Sequence, residues 1–191
     1  QGARLTFEGT YNTGTAYSMI TGCAGFNIDV GKDGSTTTGQ IHITQADLQR
    51  INAVNLTISA VNADINVYTT VASDTNNIVG RVNLIADNQL VFRESSVFKS
   101  VRANSPLMIL TGDVKVNEGH LVLESANYTV TAGVTVQSEV QNIYVNPIAG
   151  VGAMRTETPV TWKSAGDISF TVPTTVVGAG TLTVQADSDE D

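Results

Sequence analysis

Between residues 56 and 136 the chain reads Leu56-Thr57-Ile58, Ile65-Asn66-Val67, Val82-Asn83-Leu84, Leu90-Val91-Phe92, Leu107-Met108-Ile109, Val114-Lys115-Val116, Leu121-Val122-Leu123, Tyr128-Thr129-Val130 and Val134-Thr135-Val136. Each triplet is apolar at its outer two positions, the period of a short strand with one buried face. Helical periodicity is absent, because apolar residues recur at i and i+2 and then stop at a turn. Intervals between triplets repeat: Leu56 to Val82 is 26 residues, Ile65 to Leu90 and Val82 to Leu107 are 25, Leu90 to Val114 is 24 and Leu107 to Tyr128 is 21. A quasi-period in the twenties is the mark of a solenoid. Sandwiches and barrels use strands of about five or six residues, whereas stacked coils let a triplet pair above and below at about 4.8 Å. The expected fold is therefore an all-β parallel β-helix.

Its predicted inward positions are Leu56, Ile58, Ile65, Val67, Val82, Leu84, Leu90, Phe92, Leu107, Ile109, Val114, Val116, Leu121, Leu123, Val130, Val134 and Val136. Turn residues recur at the same interval, in Asn62-Ala63-Asp64, Ala86-Asp87-Asn88-Gln89, Thr111-Gly112-Asp113 and Thr131-Ala132-Gly133, and are expected to stack as the strands do. Outward from this array the pattern loosens. Residues 1–55 read as an irregular β segment, a cap or first coil, with strands at Leu5-Thr6-Phe7, Phe26 to Val30 and Ile41-His42-Ile43. Its loops are Gly31 to Gly34 and Ser35 to Gly39. A short helix is expected over 44–51, where Thr44 followed by Asp47 makes a capping pair and Ala46, Leu48 and Ile51 form the buried side. Regular coils fill 56–140. Residues 141–191 form a second irregular β segment, with strands at Val160-Thr161-Trp162, Ile168-Ser169-Phe170 and Leu182-Thr183-Val184 and an acidic, solvated end at 187–191.

Composition narrows the function. Ten Lys and Arg stand against eighteen Asp and Glu, a net charge of -8, which argues against nucleic acid as partner. Hydrophobic residues are 41%, enough for a packed core, yet no window approaches the roughly 18 apolar residues of a membrane-spanning helix. Cys23 is the one cysteine, so no intrachain disulfide or thiolate zinc site is expected; in Thr-Gly-Cys-Ala-Gly it reads as a small buried apolar residue. There is no initiator Met and no charged-then-apolar leader, so Gln1 reads as a processed end or an artificial boundary, compatible with secretion.

Catalytic chemistry finds little material. His42 and His120 are not at metal-ligand spacing, no phosphate loop is present, and Gly178-Ala179-Gly180 leads into a strand. The one weak candidate patch depends on register. If Leu90-Val91-Phe92 stacks on Val114-Lys115-Val116, Arg93 lies over Asn117 and Glu94 over Glu118, with His120 beside them. Paired carboxylates at that spacing raise one pKa, bind a cation or are neutralised by the arginine; an ordinary solvated corner explains the same charges. Phe92 and Phe98 read as coil interior, and Trp162 packs inward or covers an end. Asn55-Leu56-Thr57 and Asn127-Tyr128-Thr129 match the glycosylation acceptor pattern.

The run Gln40-Ile41-His42-Ile43-Thr44-Gln45-Ala46-Asp47-Leu48-Gln49-Arg50-Ile51, followed by Asn55-Leu56-Thr57-Ile58 and Asp64-Ile65-Asn66-Val67, resembles the repeats of filamentous haemagglutinin-like large exoproteins. Gly112 to Leu123, with its Val-x-Val strand, Asn-Glu-Gly turn and Leu-Val-Leu strand, is similar to their later coils. The resemblance spans roughly residues 40–137, and the irregular ends depart from it. It implies a right-handed parallel β-helix in a secreted, surface-attached or fibrous protein, often a long adhesin.

The expected function is a non-catalytic extracellular structural or adhesive β-solenoid, without cofactor or metal. The alternatives are a secreted or viral-tail polysaccharide-degrading β-helix and a virion or filament subunit. A coil end exposes unpaired backbone groups, so Leu5, Phe7, Leu182 and Val184 are the expected assembly residues. Neighbouring domains or identical subunits end to end are the expected partners, with host or surface glycans as a second class.

Overall fold

The computed structural model describes residues 3–4, 11–12, 18–32, 40–148 and 152–187. The chain winds into a parallel β-solenoid of about six turns with one short helix. Three sides run along it. The first carries Ser18–Thr21, Leu56–Ala60, Val82–Ala86, 101–104, 121–124, Ile143–Asn146 and Ile168–Phe170. On the second lie Asn27–Val30, Ile65–Val67, Gln89–Phe92, 107–110, 127–130, Ala153–Glu157 and Thr174–Val177. The third holds Ser96–Phe98, Val114–Val116, Thr135–Ser138, Val160–Ser164 and Leu182–Gln185.

In the early coils the third side is occupied by the helix Gln45–Gln49 and the 3-10 turn Ala72–Thr75, which lie against one another. The helix starts where expected: the Asp47 amide donates to Thr44 Oγ1 at 3.1 Å, and Asp47 Oδ2 accepts from the Thr44 amide at 3.0 Å. That reciprocal pair satisfies two donors that a helix start leaves open. It also turns Asp47 inward, so Asp47 and Leu48 are buried and Ala46, expected inside, is exposed.

The first coils depart from simple order. Asn27–Val30 is sandwiched between Gln40–Ile43 and Ile65–Val67, so strand order along the stack does not follow chain order there. Ladder pairing otherwise continues past residues 55 and 140 without a break. What looks irregular in sequence is corner length, not strand register. The expected strands at the C-terminal end are present as Val160–Ser164, Ile168–Phe170 and Leu182–Gln185. Leu5, Phe7, the loop at 35–39 and the acidic end from 188 onward lie outside the described residues.

Two corrections concern register and parity. Leu56 stacks on Val82 and Ile65 on Leu90 as expected, but Val82 then stacks on Val101, and Leu90 on Met108. The coil contracts because the 3-10 detour at Ala72–Thr75 is replaced by the short strand Ser96–Phe98. Val114 therefore stacks on Ser96 and Val136, never on Leu90. Leu107 and Ile109, expected inside, are half-buried, while Met108 and Leu110 point into the core with no exposure. The cause is a bend in Val101–Leu110, a continuous strand that serves two sides. At the bend Ser105 is buried and its Oγ donates to the carbonyl of Leu107 at 2.8 Å, which shifts the alternation by one. Ser125 repeats the device one coil on, donating to Asn127 O at 2.7 Å, and brings Tyr128 inside. The other expected inward positions are buried.

The expected turns stack, but at two different corners. Asn62 donates its amide to Asp87 Oδ2 at 2.9 Å, and Gln89 Nε2 reaches Asp64 Oδ2 at 2.9 Å, which ties Asn62–Asp64 to Asp87–Gln89. Thr111 to Asp113 and Thr131 to Gly133 close another corner, where Asp113 Oδ1 accepts from the Thr135 amide at 2.7 Å. Asparagine does similar stapling elsewhere. Asn27, Asn55 and Asn142 each accept, through Oδ1, the amide of Asp64, Arg81 and Asp167 in the next coil. Where Gly80 sits beside Asn55, a Cβ would come within 2.5 Å of that Oδ1, so the staple needs glycine there. Cys23 is exposed, correcting the expectation of a buried thiol, because it lies in the turn between Ser18–Thr21 and Asn27–Val30 rather than on a strand.

Candidate functional site

The true register takes the expected catalytic patch apart. Arg93 and Glu94 follow Gln89–Phe92 at the corner between the second and third sides. There Arg93 Nε donates to Asn66 Oδ1 at 2.8 Å, and Glu94 Oε2 accepts from Thr69 Oγ1 at 2.6 Å. Glu118 and His120 follow Val114–Val116 at the corner between the third and first sides. Paired carboxylates do not form, since Glu118 pairs with Lys99 Nζ at 2.9 Å instead.

Glu118 and His120 do line a groove. A hollow of about 400 Å³ opens along their corner, bordered by Asn55, Gly80, Arg81, Lys99, Ser100 and Val122. A second, of about 430 Å³, opens on the first side between Thr57, Arg81, Asn83, Ile85, Arg102 and Asn104. Arg81 lines both. Each hollow falls in the size range of small-ligand sites. Gly80 and Gly119 keep the corner low: a Cβ on Gly119 would lie 2.5 Å from Ser100 Cβ.

Charges along the groove are mostly spoken for. Arg102 grips Glu124 through Nε and Nη2, both at 2.9 Å, and Asn104 Nδ2 adds a third donor at 2.9 Å. Two parallel donors make this a strong, oriented pair. Lys99 and Glu118 balance each other. Arg81 is exposed, and no ion pair or side-chain hydrogen bond involves its guanidinium among the described residues. At the far end the His120 ring tilts against Tyr144, centroids 5.5 Å apart, and His120 Nδ1 accepts from the Asn142 amide at 3.3 Å. Sequence reading found Glu118 and His120 but missed Arg81, Lys99 and Arg102. The available signal was four of the ten cations, Arg93 with these three, within 22 residues of an acidic chain, about one coil's length.

A different surface ends the stack. Ile168 and Phe170 cover Ile143 and Val145, Val176 covers Thr156, and Leu182 and Val184 cover Val160 and Trp162. The covered residues are buried; Val176 and Val184 are about half exposed, at 49% and 48%. Ile168–Phe170, Thr174–Val177 and Leu182–Gln185 each pair on one edge only among the described residues. Trp162 is buried under Phe170, ring centroids 5.0 Å apart. Of the two glycosylation acceptors, Asn127 is exposed on the second side, while Asn55 is half-buried with its Oδ1 holding Arg81.

Among the described residues no group of three or more His, Cys, Asp or Glu is placed to hold a metal, and no helix is long and apolar enough to cross a membrane. Fold and surfaces define a parallel β-solenoid with an outer groove of mixed polar and apolar lining and an apolar coil end. The chain matches no family model, no curated protein and no solved structure.

Proposed function

We propose that this chain is a structural and adhesive β-solenoid segment of a secreted fibre, joined end to end and without catalytic activity. The observation that carries the reading is the last coil, where Val176 and Val184 continue the core column yet stand about half exposed. Edge strands with unpaired backbone groups recruit further strands. Three such edges at the spacing of a coil, around an apolar centre, fit one more parallel coil better than any other partner. That coil belongs to a neighbouring domain or to a second copy, and an open head-to-tail contact of this kind extends into a filament. The resemblance to haemagglutinin-like exoprotein repeats supports the same reading, as does the separation of Arg93 and Glu94 from Glu118 and His120.

Sedimentation equilibrium over a range of concentrations tests it. The wild-type chain is expected to form larger species as concentration rises, and Val176→Lys with Val184→Lys to remain monomeric with an unchanged far-ultraviolet spectrum. A wild-type chain that stays monomeric throughout overturns the end-to-end reading.

A further inference from the structure

The groove around Arg81 lies on the flank of the stack, away from the edge strands of the last coil, and its chemistry specifies a ligand. We infer that it binds a carboxylate-bearing oligosaccharide, with Arg81 as the anchor for the carboxylate. The inference rests on the adhesive half of the proposed function and names what that adhesion grips.

Charge comes first. Lys99 is neutralised by Glu118, and Arg102 by Glu124, so the two hollows hold one surplus positive charge, on the exposed guanidinium of Arg81. Its planar fork matches a carboxylate with two parallel donors. A single surplus cation suits isolated negative charges. Polyphosphates such as nucleic acid need a row of cations to release counterions, and the net charge of -8 opposes them.

The walls then select a sugar. Asn83 and Thr57, already linked Nδ2 to Oγ1 at 3.3 Å, and Ser100 at the corner offer donors and acceptors at the depth of the groove. Val79 and Ile85, exposed by 68% and 37%, stand beside them as small apolar surfaces that take the C–H faces of a pyranose. A peptide would need either a free strand edge or a deep apolar anchor pocket. Leu56–Ala60, Val82–Ala86 and 101–104 are paired on both edges here, and the lining is mixed polar and apolar. Rows along the groove repeat with the coils, at about 4.8 Å, so a linear ligand meets a fresh set of side chains at each step.

The carboxylate could come from an internal uronate or from a terminal sialate, and two probes separate them. Isothermal titration of the full chain with a hyaluronan hexasaccharide, whose uronates are separated by neutral sugars, and with 3′-sialyllactose is expected to show binding of at least one. The uronate probe alone assigns the groove to uronate polymers, and the sialoside alone assigns it to a terminal sialate. Arg81→Gln is expected to weaken the bound probe at least tenfold, as is methyl esterification of its carboxylates. Arg155→Gln, which removes the same charge from the second side, is expected to leave affinity within twofold. Lys99→Gln, which frees Glu118 to repel the ligand, is expected to weaken binding and serves should Arg81→Gln fail to fold. No binding of either probe at millimolar concentration, equal binding by the esters, or equal losses in Arg81→Gln and Arg155→Gln would each overturn the site. Such a failure with concentration-dependent sedimentation intact leaves the end-to-end reading standing; monomeric protein that still binds overturns only the stacking.

Discussion

His42 Nδ1 lies 3.5 Å from Asp29 Oδ2 on adjacent strands of the second side, with both side chains sealed from solvent. The other carboxylate oxygen, Oδ1, accepts from Asn66 Nδ2 at 2.9 Å, and Asn66 Oδ1 in turn accepts from Arg93 Nε. A polar ladder thus crosses the point where Asn27–Val30 is sandwiched between its neighbours. Among the described residues neither imidazole nitrogen, nor Asp29 Oδ2, has a hydrogen-bond partner. Asp29→Ala leaves Asn66 Nδ2 without its acceptor and the buried His42 ring without its polar neighbour, so it is expected to cost about 1–3 kcal/mol in urea unfolding. A double-mutant cycle with His42→Ala checks it; independent, additive losses would show that the two groups do not interact.

The bend at Ser105 makes a sharper test of the core. Met108→Ala, which empties a fully buried position, is expected to lose about 2–5 kcal/mol. Ile109→Ala, next in the chain but facing outward, should lose less than about 1.5 kcal/mol. Thermal melts of the two variants distinguish this parity from the simple alternation of the triplet, which ranks them in reverse.

Gly112 shows why one corner tolerates no side chain. A Cβ there would lie 2.3 Å from the backbone carbon of Glu94 in the preceding coil. Gly112→Ala is expected to destabilise by about 1–3 kcal/mol through forced backbone movement. Gly25→Ala, where a Cβ meets nothing within 4 Å, carries only the strain of its positive φ of 80°. Paired denaturation curves measure the difference.

Tyr128 gives the protein an alkaline limit. Its hydroxyl sits between the carbonyls of Leu123 and Asn146, and burial, aided by the negative charge of Glu124, holds its pKa well above the ordinary tyrosine value. Since the unfolded chain ionises first, the neutral phenol stabilises the fold fully below about pH 10, and that contribution falls as pH rises further. Stability measured from pH 8 to 11 is expected to drop above pH 10, and Tyr128→Phe to flatten that drop while costing about 1 kcal/mol at neutral pH for its hydrogen bond. An unchanged alkaline slope in the variant would assign the effect elsewhere.

Local patterns legible in the residues set much of this architecture. Alternation of period two marks a strand with one buried face wherever it occurs, and it placed Leu56, Ile58, Leu121 and Leu123 inside. The Thr44 and Asp47 pair announced a helix because capping involves only neighbours. Beyond Leu56 on Val82 and Ile65 on Leu90, which triplet stacks on which was decided by tertiary structure. Every triplet looks alike, and the cost of closing a corner changes slowly with its length, so a coil of 19 residues and one of 26 carry no distinct local signature. That is why Val114 stacks on Ser96 rather than Leu90, and why Arg93 and Glu94 part from Glu118 and His120. The inward turn of Met108 depended on a serine folding back at a bend that no two-residue rule foresees. Arg81 became the centre of a groove only when the coils before and after it supplied the walls, since a lone cation in a turn has no periodic partner to betray it.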